Sequence, residues 1–211
     1  MSDRKLIYFA DAMCSWCYGF SPVMTSIRQA FGADLPVQVV VGGLRPGTTT
    51  PMTDKARTEI GGHWHHVHEA SGLSFDPAVL VPGFVYDTDP AARAVVLARR
   101  ASPDLALTYL ERAQRAFYSE ARDITKTEVL ADLAGELGLD REGFAAHLDD
   151  PNLKNETWSD YGVSQRAGVT GFPTLVAGPG HDGTFGVVTR GFAPGAQVIE
   201  TLRTWMGVGA A

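Results

Sequence analysis

Cys14 and Cys17 are the only cysteines among 211 residues, and both fall in one short stretch, ADAMCSWCYGFSP at 10–22. What flanks the pair constrains the fold most. Lys5–Phe9, just ahead, is short, apolar and β-rich, which reads as a buried strand. Behind it Phe20, Val23, Met24, Ile27 and Phe31 recur at helical spacing to about residue 31, with Pro22 inside the pattern, where it should kink the helix. A second strand is expected at 36–41, PVQVVV, and Gly42-Gly43 offers it an exit to a turn. The opening is βαβ in outline.

From about Arg45 to Asp150 the pattern becomes helical. Asp89 is expected to cap a helix with Pro90 at its first position, where a missing N–H costs nothing. Thr125 and Glu128 have capping-box spacing ahead of the apolar ladder Val129, Leu130, Leu133 and Leu137, which stops at Gly138. Asp140 should cap a short helix carrying Phe144 and Leu148. No repeat or low-complexity linker interrupts the segment, so it reads as one helical insertion.

The tail returns to β. A helix with Trp158 and Val163 approaches Gly168, PTLVA (173–177) and TFGVVT (184–189) read as strands joined by the glycine-rich GPGHDG, and Ala196–Trp205 reads as a last helix. The expected class is therefore α/β, ordered βαβ, helical insertion, αββα. The domains are 1–44 with 151–211, a discontinuous unit, and the insertion, 45–150.

Composition narrows the function. With 45% hydrophobic residues the chain can bury a sizeable core, so the cysteines are not needed as a staple. A net charge of −6, with 18 Lys and Arg among 24 acids and no basic stripe, argues against nucleic acid as a partner. Arg93, Arg99, Arg100, Arg112, Arg115 and Arg122 read as a solvated helical face. The apolar run Leu6–Ala10 is too short for a signal-peptide core or a membrane span, so no membrane partner and a cytoplasmic location are expected.

C-x-x-C is compatible with a metal clasp, a redox dithiol or chance. Where the first cysteine opens a helix and the second follows one turn later, the two sulfurs can meet. Free backbone N–H groups and the helix dipole favour a thiolate there, lowering a cysteine pKa from about 8.5 to roughly 3.5–7.5. On that reading Cys14 attacks a disulfide and Cys17 resolves the mixed disulfide. A second motif is GVTGFPTL at 168–175, in which Pro173 opens a strand. Taken alone, it reads as an ordinary trans proline on a strand edge.

Together, Cys14-Ser15-Trp16-Cys17 and GVTGFPTL resemble the thioredoxin superfamily, and more closely its DsbA-like branch. The resemblance covers nearly the whole chain. It implies a thioredoxin fold with a DsbA-like helical insertion and thiol–disulfide oxidoreductase or isomerase activity. It implies a cis Phe172–Pro173 peptide facing the cysteines, with Pro22 in the helix and Gly191 at the last strand-to-helix corner. Ser15, Trp16, Phe172 and Pro173 would contact an extended substrate, a protein or peptide, with a possible redox partner protein. No bound cofactor is implied beyond the Cys14–Cys17 couple, with glutathione as a possible external thiol. Without a signal peptide the chain is similar to the cytoplasmic, FrnE-type branch.

The chain departs from that pattern at one position. Six residues before the first cysteine, thioredoxin and DsbA carry a buried acid that assists proton transfer, and Tyr8 stands here. Asp11, three residues on, reads as an exposed turn aspartate or cap. The Ser15-Trp16 dipeptide also differs, which leaves the direction of electron flow open.

Three other readings compete. His63, His65, His66 and His68 give zinc-like spacing with the cysteines, but His63 and His68 fall on different faces of one helix, so the four read as partly exposed residues packing over the cleft and no metal is expected. Kappa-class glutathione transferases and hydroxychromene-carboxylate isomerases share the fold but use a serine near the first-cysteine position. That position is Cys14 here, and Ser15 comes one place late. The third is a binding or chaperone module with a vestigial motif.

Overall fold

The computed structural model describes residues 4–207. Four strands, β1 (Lys5–Ala10), β2 (Val37–Val41), β3 (Thr174–Gly178) and β4 (Gly186–Arg190), form one sheet in the order β2-β1-β3-β4. β1 and β2 are parallel, with Tyr8 opposite Val39, while β1–β3 and β3–β4 are antiparallel, with Tyr8 opposite Leu175. The parallel pair requires a crossover, and α1 (Ser15–Phe31) provides it. Each strand lies within two residues of its expected span. The α/β class and the expected succession βαβ, helices, αββα are present.

Strand alternation places Leu6, Tyr8 and Ala10 on one face of β1, where they join a core with Phe20, Met24 and Ile27 of α1. Burying each of those three α1 side chains stabilises the fold by ~1.5–3 kcal/mol. Pro22 lies inside α1 without ending it. It cannot donate to the Tyr18 carbonyl, but the Ser21 hydroxyl donates to that oxygen at 2.8 Å, and the helix runs on unbroken to Phe31.

Five helices, α2 (Asp54–Ser71), α3 (Asp89–Ala101), α4 (Pro103–Tyr118), α5 (Thr127–Glu136) and α6 (Arg141–His147), precede α7 (Pro151–Arg166), and α8 (Gly195–Met206) closes the described chain. Two caps differ from expectation. α3 begins at Asp89 with Thr88 as its cap, because the Thr88 hydroxyl is engaged by the Arg45 N–H and the Asp89 carboxylate by Arg93 and Tyr161. The expected Thr125–Glu128 capping box is absent. Thr125 turns back to Asp123 through its N–H and hydroxyl, and Lys126 precedes the first turn of α5. Asp140 does cap α6, accepting the Glu142 N–H.

The arginines are not a uniformly solvated face. Arg93 is buried, bonded to Asp89, Asp149 and the Leu148 carbonyl. Arg99 pairs with Asp160 and Glu156 of α7 and donates to the Val39 carbonyl on the outer edge of β2. Asp160 also accepts the Val41 N–H, and the Ser164 hydroxyl donates to the Val41 carbonyl. β2 is an edge strand whose free backbone groups are thus covered by α3 and α7.

Candidate active site

Cys14 occupies the cap position of α1 in extended conformation, φ −95° and ψ 114°. Its N–H donates to the Asp11 carbonyl at 3.2 Å and its carbonyl accepts the Tyr18 N–H. That tight turn fixes its sulfur at the helix mouth, where unpaired N–H groups and the dipole favour negative charge. Cys17, one turn in, is completely buried. Both are thiols and are not bonded to each other. Burial first, then the adjacent Cys14, pushes the Cys17 pKa well above the usual thiol range.

The distant loop meets the pair from the opposite side. The Phe172–Pro173 peptide is cis, and the Phe172 carbonyl accepts the Cys14 thiol at 3.6 Å. Gly191, at φ +82°, donates its N–H to the Pro173 carbonyl at 2.7 Å and so fastens this loop to the end of β4. A second cis peptide, Gly178–Pro179, carried no sequence signal that distinguished it.

A cleft of about 250 Å³ opens over Cys14. Ser15, Trp16 and Phe172 line it. Ser15 is itself buried, and Trp16 is held edge-on to His63 and tilted against Phe192, with centroids 5.9 and 5.7 Å apart. Pro173 is buried and does not line the cleft. Of the four histidines only His63 reaches it. His65 pairs with Glu69, and the His68 ring meets the Leu73 carbonyl. Among the described residues no group of three or more His, Cys, Asp or Glu could hold a metal ion.

Sequence reasoning missed Leu44, Arg45 and Tyr86, all on the cleft wall. The Arg45 guanidinium lies 5.1 Å from the centre of the Tyr86 ring, and the Tyr86 hydroxyl donates to the Met13 carbonyl. Gly42-Gly43 is more than a turn. A Cβ on Gly42 would collide with the Phe172 ring, and one on Gly43 would sit 2.8 Å from the Tyr161 ring. The missing Cβ of Gly42 therefore lets the end of β2 meet the cis loop, and that of Gly43 lets Tyr161 of α7 pack close.

Asp11 also departs from expectation. It is fully buried, and its two carboxylate oxygens accept the Met13 and Leu44 N–H groups, each at 2.8 Å. It ties the cysteine turn to the loop after β2. Burial holds its pKa above the ordinary aspartate range, against the lowering effect of those N–H groups. Tyr8 is buried too, with its titration pushed well up, first by burial and then by the charge of Cys17.

A family model described as the DSBA-like thioredoxin domain matches residues 5–206. The chain belongs to that family. Among solved structures, this DSBA-like chain is similar to a candidate protein disulfide isomerase from Nitrosomonas europaea, with 35% identity, 98% of each chain covered and a TM-score of 0.89. It is also similar to the cytosolic disulfide reductase DsbM from Pseudomonas aeruginosa, at 28% identity, 97% and 100% coverage and a TM-score of 0.78. A structure of DsbM with GSH gives 27% and 0.76, covering 96% and 99%. The ClpXP adapter protein SpxH of Shouchella clausii is 20% identical over 96% of this chain and 67% of its own length. The chain thus spans about two thirds of that curated relative.

Proposed function

We propose that this DSBA-like protein is a thiol–disulfide oxidoreductase in which Cys14 is the nucleophile and Cys17 the resolving thiol. The observation that carries the reading is the placement of the Cys14 sulfur. It stands at the mouth of α1, faces the Phe172 carbonyl and opens on a cleft, with Cys17 buried one turn behind.

The Cys14 thiolate attacks one sulfur of a substrate disulfide. That S–S bond breaks, the far sulfur leaves as a thiolate, and Cys14 holds the near one. Cys17 then attacks Cys14, forming the intramolecular disulfide and releasing the second substrate thiolate. The net change is two electrons passed to the substrate, and the reverse sequence oxidises a dithiol. An extended protein or peptide segment would lie along the Phe172 backbone and between Trp16 and Phe172, in the manner of strand addition.

Glutathione is the external thiol this cleft suits best. Arg45 makes no ion pair among the described residues and lies on the cleft wall with His63, which gives a carboxylate-bearing thiol a cation beside the attacked sulfur. The similarity to a cytosolic disulfide reductase also solved with GSH supports both this choice and a cytoplasmic setting. Among the described residues no helix is long and apolar enough to cross a membrane. A transferase or isomerase reading would rest on Ser15, which is buried one residue beyond the helix mouth, whereas Cys14 sits at it.

Titrating the thiols of the native protein before and after a mild disulfide oxidant tests the reading. Both thiols should disappear together and return with dithiothreitol. Loss of one thiol alone, or none, overturns it.

A further inference from the structure

One wall of the Cys14 cleft comes from α2, whose Ile60 and His63 line it. The two halves of that helix are held very differently. The second half is anchored. Trp64 is buried, its ring 5.0 Å from that of Tyr118, 5.7 Å from Phe75 and 5.9 Å from Phe117. Val67 is buried against the bare backbone of Gly19 on α1, where a Cβ would stand 2.7 Å from it. The first half, 54–60, has no buried residue. Its side chains satisfy one another instead. Arg57 pairs with Asp54 at 2.8 Å, Lys55 with Glu59 at 3.8 Å, and the Thr58 hydroxyl donates to the Asp54 carbonyl. Among the described residues, no side chain of this arm makes a hydrogen bond or ion pair beyond 53–60. Half-buried Ile60 is its foot in the cleft.

The halves meet at Gly61-Gly62, inside the helix. A Cβ built on either glycine would meet nothing within 4 Å, and neither has a positive φ. Unlike Gly19, they are required neither by close packing nor by the backbone. Each lowers the helix equilibrium about two- to fivefold relative to alanine, so the pair is the weak point of α2. Space adjoins it. The Cys14 cleft takes in Ile60 and His63 on either side of the pair, and a second cavity of about 340 Å³ is lined by Gly61, His65, His68 and Phe75. A segment with few buried contacts opens at low free energy, and paired glycines let a helix bend.

We propose that residues 54–60 are a lid on the Cys14 cleft that flexes at Gly61-Gly62 and sets the size of disulfide admitted to the sulfur. The inference rests on the exchange chemistry proposed above. With the lid down, Ile60 narrows the cleft to about 250 Å³, which takes a small disulfide. An extended polypeptide running between Trp16 and Phe172 needs the lid swung out, and that motion breaks helix hydrogen bonds across the two glycines. Buried Trp64 holds one end of the arm. The Met52 N–H, bonded to the Phe84 carbonyl at 2.8 Å, holds the chain ahead of the other. The arm thus moves as a strap between two fixed points, as active-site lids do.

The test oxidises the reduced protein with two disulfides, bis(2-hydroxyethyl) disulfide and an unstructured peptide linked to its own copy by one disulfide, and follows the loss of both thiols. The double variant Gly61→Ala/Gly62→Ala adds two methyl groups in open space and strengthens the helix across the flexing point. Its reaction with the peptide should slow about tenfold, while the small disulfide reacts at the wild-type rate. Ile60→Ala removes the foot of the lid and should raise the ratio of peptide to small-disulfide rates severalfold, a gain that mere structural damage does not produce. Hydrogen exchange reads the motion itself. Amides of 58–62 should exchange faster than those of 64–71, and the double variant should slow them. A double variant that slows both disulfides equally or neither overturns the lid. So does an unchanged ratio in Ile60→Ala, or equal exchange in the two halves of α2. Wild-type thiols that react with neither disulfide overturn the exchange reading itself, and the lid with it.

Discussion

The Phe172 ring rests on the bare backbone of Gly42, while the Phe172 carbonyl stands 3.6 Å from the Cys14 sulfur. One residue thus joins the exit of β2 to the reactive thiol. Gly42→Ala should push the ring away, with overpacking costing ~1–3 kcal/mol. For a chain of this size that is a fall in Tm of about 2–4 °C per kcal/mol. Thermal unfolding and the rate of Cys14 attack on a disulfide, measured on the same variant, should both fall. Wild-type values of both would show that the ring does not depend on the missing Cβ.

Asp11 gives a pH signature. Its folded pKa lies above its ordinary value of 3.8, so the fold binds that proton more tightly than the unfolded chain does. The sign follows from linkage. Stability that Asp11 contributes when protonated is lost as pH rises from its ordinary value through the raised one, and the penalty is constant above. Asp11→Asn should remove this slope. It should also lose about 1–3 kcal/mol at every pH, because an amide NH₂ cannot accept the second backbone N–H. Glu111, also raised, adds a slope of the same sign, and Glu136 and Glu156, held low by arginines, add the opposite one. All three persist in the variant. The wild-type-minus-variant difference in unfolding free energy should therefore decline as pH rises from the ordinary aspartate value toward neutrality. A flat difference would contradict the buried, raised carboxyl.

Arg45 should select substrate charge. Arg45→Met is expected to raise KM for glutathione disulfide up to about fivefold, the scale of an exposed ion pair worth ~0.2–1 kcal/mol. The KM for a neutral disulfide such as bis(2-hydroxyethyl) disulfide should stay within error. Equal effects on both substrates would remove Arg45 from substrate recognition.

Much of this site is written locally in the chain. A β-rich run, a C-x-x-C pair and a helical ladder are contiguous, so Cys14 could be placed at a helix mouth from periodicity alone. GVTGFPTL carried its signal through resemblance, because nothing in its own composition distinguishes a cis proline from a trans one. What stayed illegible depends on contacts across the fold. Asp11 looks like a turn residue until the loop after β2 brings the Leu44 N–H to it. Arg93 looks solvated until Asp149, just ahead of α7, meets it, and Arg99 until α7 supplies Glu156 and Asp160. Thr125 and Glu128 match a capping box, yet Asp123, two residues upstream of Thr125, captures the threonine first. Arg45 lies in a stretch with no motif and acquires meaning only from the cleft it lines.

The role of the helix-mouth sulfur is tested most directly by trapping. A Cys17→Ser variant incubated with a disulfide-bonded peptide should accumulate a one-to-one mixed disulfide that peptide mapping places on Cys14 and dithiothreitol releases. Continued turnover of the substrate without any such adduct would contradict the account.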